Sequence, residues 1–127
     1  RLALLLAVLE ERAGVTVGRS DVYASVAGGV RIAEPGVDLA IALAVAGTRA
    51  QRSLPGDTVV IGEVGLGGEI RQVAQVERRL AEAARLGFAR AIGPPSMPAV
   101  PGMERASVAT LADALALAYG ARSMRAA

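Results

Sequence analysis

VVIGEVGLGGEIRQVAQVERRLAEAARLGF, residues 59–88, decides how this chain folds. Its β-branched opening, the glycine-rich GEVGLGG and the apolar run after it read as two short strands, Asp57–Ile61 and Glu69–Val73. Gly65, Gly67 and Gly68 between them permit a tight turn. From Gln75 to Leu86 the apolar period lengthens to that of a helix. Val76, Leu80, Ala83 and Ala84 then point inward, and Arg78, Arg79, Glu82 and Arg85 largely outward. Gly87 ends that helix, and Ala89–Ile92 returns as a strand.

Outward from this segment, RLALLLAVLEERAG (1–14) reads as a helix with Leu2, Leu5, Leu6 and Leu9 on one face and Gly14 as its stop. Leu4 and Val8 widen the apolar surface, which predicts deep burial or packing on a neighbour. Asp21–Ala27 alternates as a strand, and Gly28–Gly29 permits a bulge before Val30–Ile32. EPGVDLAIALAVAGTRA (34–50) reads as a second helix with Pro35 in its first turn and Glu34 and Asp38 near its positive end. Its nearly all-apolar body predicts a central position. QRSLPGD (51–57) is a polar loop and PPSMPAVPGM (94–103) a proline-rich one. Thr110 and Asp113 resemble a capping box opening the helix Leu111–Tyr119, and the tail 121–127 is expected to fray. The fold class is α/β (α+β), a mixed sheet with hairpins packed by about four helices, in one domain over residues 1–127.

Composition narrows the function. Hydrophobic residues make up 53% and charged residues 20%, a globular balance. No apolar run reaches the roughly 18–20 residues needed to span a bilayer, so no membrane partner is expected. With no Cys and no His, the chain has no disulfide, no thiolate nucleophile, no zinc site with sulfur or imidazole ligands and no His-based triad. The absence of Cys fits a cytoplasmic protein. With two Tyr, one Phe and no Trp there is little flat surface for stacking bases. The net charge is +2, and all 14 cations are Arg, a side chain suited to bidentate contacts with phosphate or carboxylate; a genomic preference for Arg codons gives the same composition. The chain starts at Arg1 already inside a helical pattern and is expected to be a fragment of a longer protein.

Few residues suit catalysis. Glu34 and Asp38 lie one helical turn apart, where carboxylates usually satisfy free amides. Glu63 and Glu69 flank the glycine turn and can meet across a hairpin. GEVGLGGE matches neither G-x-G-x-x-G nor a P-loop, and a chain without Lys has no Walker lysine. Ser20, Ser25, Ser53, Ser96, Ser107 and Ser123 have no His or Lys to deprotonate them. Arg71, Arg78, Arg79, Arg85 and Arg90 form the densest basic stretch and are the candidate contacts to DNA or to a neighbouring subunit. Glu77 and Glu82 interleave with them, so a solvated, salt-bridged face is the alternative.

DVYASVAGGVRIAEPGVDLAIALAVA and VVIGEVGLGGEIRQVAQVERRLAEAARLGFARAIGP resemble the C-terminal domain of the RadA (Sms) family of bacterial DNA-repair ATPases, a domain of the Lon protease superfamily. RLALLLAVLEERAG and ATLADALALAYG resemble that domain's first and last helices, so the resemblance covers nearly the whole chain. It implies a Lon protease C-terminal-like fold. The protease's serine belongs to a Gly-Pro-Ser-Ala-Gly run, matched here by Glu34-Pro35-Gly36-Val37-Asp38. Gly36 stands at the serine position and Glu77, without a gap, at the lysine position.

With both members of that dyad gone, the resemblance implies a pseudo-protease, and the fragment itself is expected to be no enzyme. It further implies a hexameric ring on DNA that drives branch migration and processing of recombination intermediates. This domain would then be a scaffold for the ring that offers basic surface to DNA. ATP, Mg and a zinc finger are expected upstream in the parent protein, and no cofactor in this fragment. Two alternatives stand beside it. One is the Lon-like domain of another ATPase, competence-related or magnesium-chelatase-like. The other is a serine peptidase with an unorthodox nucleophile such as Ser25.

Overall fold

The parallel pairing of three strands separated by long connections organises the molecule. A computed structural model describes residues 2–14 and 35–120. The strands expected at Asp21–Ala27 and Val30–Ile32, the residues Ser25 and Glu34, and the tail 121–127 lie outside the described residues. Four helices are described: α1 (Leu2–Ala13), α2 (Asp38–Ala50), α3 (Val76–Arg85) and α4 (Leu111–Tyr119). The strands are β1 (Thr58–Val60), β2 (Glu63–Val64), β3 (Ile70–Arg71), β4 (Arg90–Gly93) and β5 (Glu104–Ser107).

The architecture is mixed α/β, with a parallel sheet in the order β1–β4–β5 and a small antiparallel pair, β2–β3. Val60 aligns with Ile92, and Ile92 with Ala106. Side chains alternate across a strand, so this row lies on one face of the sheet and the row through Val59 and Ala91 on the other. The first row packs on a core built by Leu5, Leu9, Leu39, Leu43, Leu111 and Leu115 from α1, α2 and α4. The second row packs with Leu80 of α3, Ile61, Val73 and Met97. Each fully buried leucine contributes about 1.5–3 kcal/mol relative to an exposed one.

One expectation about the strands is corrected. Residues 69–73 do not form a hairpin with 57–61. β3 turns back on β2 instead, while β1 pairs in parallel with β4. The physical reason is reach: Gly65–Glu69 closes a short turn, Gly65 N–H donating to Glu69 O at 2.9 Å, so β3 meets the residues just before the turn. β5 lies just beyond the proline-rich loop, over residues to which the sequence reading assigns no element. Its sequence ERAS is short and mostly exposed, and carries no apolar alternation to mark it.

The helices follow their periodicity. In α1, Leu5, Val8 and Leu9 are buried and Leu4 is left 38% exposed. α2 packs against both α1 and α4, which also pack on each other, and its apolar body is buried as predicted, although Pro35–Val37 form a 3-10 turn ahead of its start at Asp38. Thr110 Oγ1 accepts from Asp113 N–H at 3.1 Å, which caps α4 as the sequence suggests.

α2 and α4 approach closely at Gly47. A Cβ there would lie 2.6 Å from the Tyr119 hydroxyl and 2.7 Å from Arg52 O. The same hydroxyl donates to Leu43 O at 2.8 Å, a buried bond that ties the end of α4 to the middle of α2. Gly47→Ala should therefore destabilise the fold by about 1–3 kcal/mol through overpacking, despite the higher helix propensity of alanine. Urea unfolding monitored by circular dichroism measures it. A midpoint equal to or above wild type would contradict the close packing.

Candidate functional site

The start of α2 is where a protease-like arrangement would hold its nucleophile, and backbone fills it. Gly36 is buried, and its carbonyl accepts from Gly62 N–H at 3.2 Å. Leu39 N–H returns to Gly62 O at 3.0 Å, satisfying one of the free amides of a helix start. Asp38 is fully buried, and its Oδ2 accepts from Val64 N–H at 3.0 Å. Its carboxylate thus ties β2 to the positive end of α2, the structural role expected for carboxylates at a helix start. Glu77, at the other expected dyad position, is exposed in the first turn of α3. α2 and α3 pack against opposite faces of the parallel sheet, so the structure does not bring Gly36 and Glu77 together.

The glycine turn is held by Glu69. Its carboxylate accepts from Gly67 N–H at 3.0 Å and from Arg71 Nη2 at 3.2 Å. Glu63 does not meet Glu69 across the hairpin; the ladder sets it opposite Arg71. The Glu69 pKa lies below its ordinary 4.5, chiefly because its own backbone N–H bonds the carboxylate; partial desolvation opposes this, and Arg71 and Gly67 assist. The turn is also docked on α4: Ile70 N–H donates to Ala109 O at 2.9 Å, and Leu111 N–H to Gly68 O at 2.7 Å.

The five candidate arginines do not act as one bare stripe. Arg71 pairs with Glu69 on the hairpin. On α3, Arg85 makes a two-pronged pair with Glu82, one prong Nε to Oε2 at 3.0 Å. That contact lowers the Glu82 pKa and raises that of Arg85. Arg78 donates to the neutral amide of Gln75 at 3.3 Å, and Arg79 is half-buried beside it. Arg90 sits away from them on β4, with Nε 3.9 Å from Glu104 Oε1 and making no hydrogen bond. α3 is thus a salt-bridged, solvated face on which Arg78 is held by a neutral amide. Sequence reasoning misses Glu104 as the partner of Arg90, since the parallel register that pairs them depends on β5, which nothing local announces. Among the described residues no cluster of three or more acidic, His or Cys side chains is placed to hold a metal ion, and no helix is long and apolar enough to cross a membrane.

Residues 11–97 match the family model described as "ChlI: Subunit ChlI of Mg-chelatase", well over half of the chain. The chain belongs to that family. It is also similar to proteins named DNA repair protein RadA. The one from Mycobacterium tuberculosis (strain H37Rv) is 47% identical over 116 residues, covering 91% of this chain and 24% of the relative. The one from Chlamydia pneumoniae is 54% identical over 94 residues, covering 74% and 21%. The one from Halalkalibacterium halodurans is 44% identical over 127 residues, covering 94% and 27%. The chain spans about a quarter of the length of these relatives.

These matches correct the expectation that the fragment is no enzyme, because the family is named for a subunit of a chelatase and so points to an enzyme family. The physical reason is that a missing nucleophile–base dyad excludes serine-peptidase chemistry alone. It carries no information on other reactions.

Two measurements check the site. Asp38→Ala leaves Val64 N–H buried without its acceptor and should cost about 1–3 kcal/mol, whereas Asp38→Asn keeps an acceptor oxygen and should cost less. Equal losses in chemical denaturation would remove the carboxylate from this role. The pH dependence of stability tests Glu69. Its folded-state pKa is depressed, so its stabilisation is present above about 4.5 and is lost as pH falls through the lower folded value. Glu82 contributes in the same direction. Glu69→Gln should therefore lose less stability than wild type between about pH 5 and pH 3.

Proposed function

We propose that the chain is the Lon-protease-like domain, spanning residues 1–127, of a RadA-type DNA-repair and recombination ATPase. The carrying observation is the identity of 43–54% to proteins named for DNA repair over most of this chain. In this reading the domain is a scaffold: it supports a hexameric ring and meets DNA while the parent protein moves branches and processes recombination intermediates in the cytoplasm. The parent draws on ATP, Mg and a zinc finger in segments other than this one. Gly36 and Glu77 are its degenerate protease positions, and the buried backbone junction at Gly36 supports that assignment.

Arg71, Arg78, Arg79, Arg85 and Arg90 are the proposed contacts to DNA or to a neighbouring subunit. Contacts of this kind are made by exchange. A phosphate or a partner's carboxylate replaces Glu69, Glu82 or Glu104 around a guanidinium already held in place.

The reading predicts oligomers and DNA binding with little sequence preference, weakening steeply with salt. Reversing Arg78 and Arg85 to Glu should lower DNA affinity and reduce the slope of log affinity against log salt by about one for each phosphate that is no longer neutralised. Fluorescence anisotropy with labelled duplex DNA across a salt series measures both. Unchanged DNA affinity and unchanged assembly in that variant would remove α3 as the functional face.

The family match favours a second reading, a magnesium-chelatase-like ATPase subunit. The sequence upstream of this segment in the parent separates the two. A RecA-like core there supports the first reading, and a different ATPase module supports the second.

A further inference from the structure

The Glu69 carboxylate sits in a cradle built largely from main chain. Gly67 N–H donates to its Oε1 at 3.0 Å, and the Glu69 N–H bonds it as well. Arg71 Nη2 closes the cradle, 3.2 Å from Oε2. Glycine makes the room: a Cβ at Gly65 would fall on the carboxylate, and one at Gly67 would lie 3.3 Å from Oε1. Backbone amides gathered on a turn form a concavity that receives anions, and a guanidinium beside them adds a planar charged donor. The anion received here is a side chain of the turn itself.

The shape of the cradle does not depend on that side chain. Gly65 N–H bonds Glu69 O and Gly68 N–H bonds Gly65 O, each at 2.9 Å, so main chain alone closes the turn. The bonds from Ile70 N–H to Ala109 O and from Leu111 N–H to Gly68 O fix it on α4. On α1, Arg12 Cβ and Cγ lie 3.0 and 3.5 Å from where a Cβ at Gly68 would be, which sets a second arginine against the turn. Arg12 and Arg71 thus balance Glu63 and Glu69 only while both carboxylates stay in place. The Glu69 side chain is 44% exposed, so it can swing into water without breaking a main-chain bond.

We infer that the Gly65–Glu69 turn is a phosphate-binding cradle, in which the Glu69 carboxylate is the resident stand-in and a phosphate group takes its place on Gly67 N–H, Glu69 N–H and Arg71. A phosphate presents a planar guanidinium with the same pair of oxygens as a carboxylate. A free or terminal phosphate also carries about −1.5 to −2 charge at pH 7 against −1 for the carboxylate, and so competes well for the donors. A backbone diester has the same charge as the carboxylate and competes less well. The inference rests on the exchange proposed at Arg71 and names the backbone that would receive the ligand.

Amide-resolved NMR titration with inorganic phosphate tests it on wild type, Glu69→Ala and Arg71→Ala copies of this chain. Wild type should give saturable shifts centred on the amides of Gly67 and Glu69, and Arg71→Ala should lose them. Glu69→Ala, relieved of its internal competitor, should bind phosphate at least about tenfold more tightly, the effect of removing one like charge from the edge of a guanidinium. Shifts in wild type that do not saturate, or that persist in Arg71→Ala, would overturn the cradle and leave Glu69 as a brace of the turn. That comparison stands even if Glu69→Ala fails to fold.

Duplex DNA lacking terminal phosphates, added at low salt, separates the sources of the group. A duplex that displaces inorganic phosphate from Gly67 supports the cradle as a contact to the DNA backbone. Phosphate binding that the duplex leaves untouched supports it as a site for a free or terminal phosphate. DNA binding with no phosphate response at Gly67 would overturn the cradle alone and leave the proposed DNA contact standing.

Discussion

A pair of two-residue strands cannot hold itself together in water. The β2–β3 hairpin is stable because both of its strands are tied to helix starts. On one side the buried Asp38 carboxylate, in the first turn of α2, accepts from Val64 of β2. On the other, Ile70 N–H bonds Ala109 O just before α4, and Leu111 N–H in its first turn bonds Gly68 O. Together these bonds give the ladder its anchors and give helix starts partners for polar groups they cannot satisfy themselves. A buried carboxylate is tolerated at Asp38 for this reason, being hydrogen-bonded at the positive end of a helix. The glycine turn, α1, α2 and α4 therefore behave as one unit.

The parallel sheet links that unit to α3. Ala91 and Ile92 are neighbours in β4 whose side chains enter different cores, so β4 is the wall between them. α3 has little apolar surface of its own, with Leu80 as its one fully buried leucine. Its remaining surface is open to ion pairs and solvent, and this part of the molecule is freest to meet something else. The arginines gather where the packing demands least of the sequence.

How much of this is legible in the sequence follows the range of the signals. α1, α2, α3 and α4 are readable because helix periodicity, Gly14, Gly87 and the Thr110 cap are local. Strand partners are not, because pairing is a long-range choice. The run 57–61 looks equally ready for a hairpin or for a parallel neighbour, and a turn closed at Gly65–Glu69 decides between them. β5 has neither alternation nor bulk, and it exists because β4 presents an edge beside the return of the proline-rich loop. For the site, Asp38 reads as structural from its place at a helix start, but its partner Val64 lies 26 residues away and cannot be seen in sequence. Glu63 and Glu69 flank the turn symmetrically in sequence, yet strand register sets Glu63 against Arg71.

Weak exposed pairing is why intramolecular pairs do not disqualify the arginines from binding. An exposed ion pair is worth little, about 0–1 kcal/mol, because water and salt compete for both partners. Arg71 and Glu69 are both about half exposed, and Arg85 and Glu82 are more exposed still. Trading such a carboxylate for a phosphate therefore costs little, while the held geometry reduces the entropy lost on binding. The freed carboxylate remains beside the new partner and repels it, which limits affinity for any one phosphate. A surface of this kind favours many weak, exchangeable contacts over one tight contact, and repetition around an assembly of several copies would multiply them.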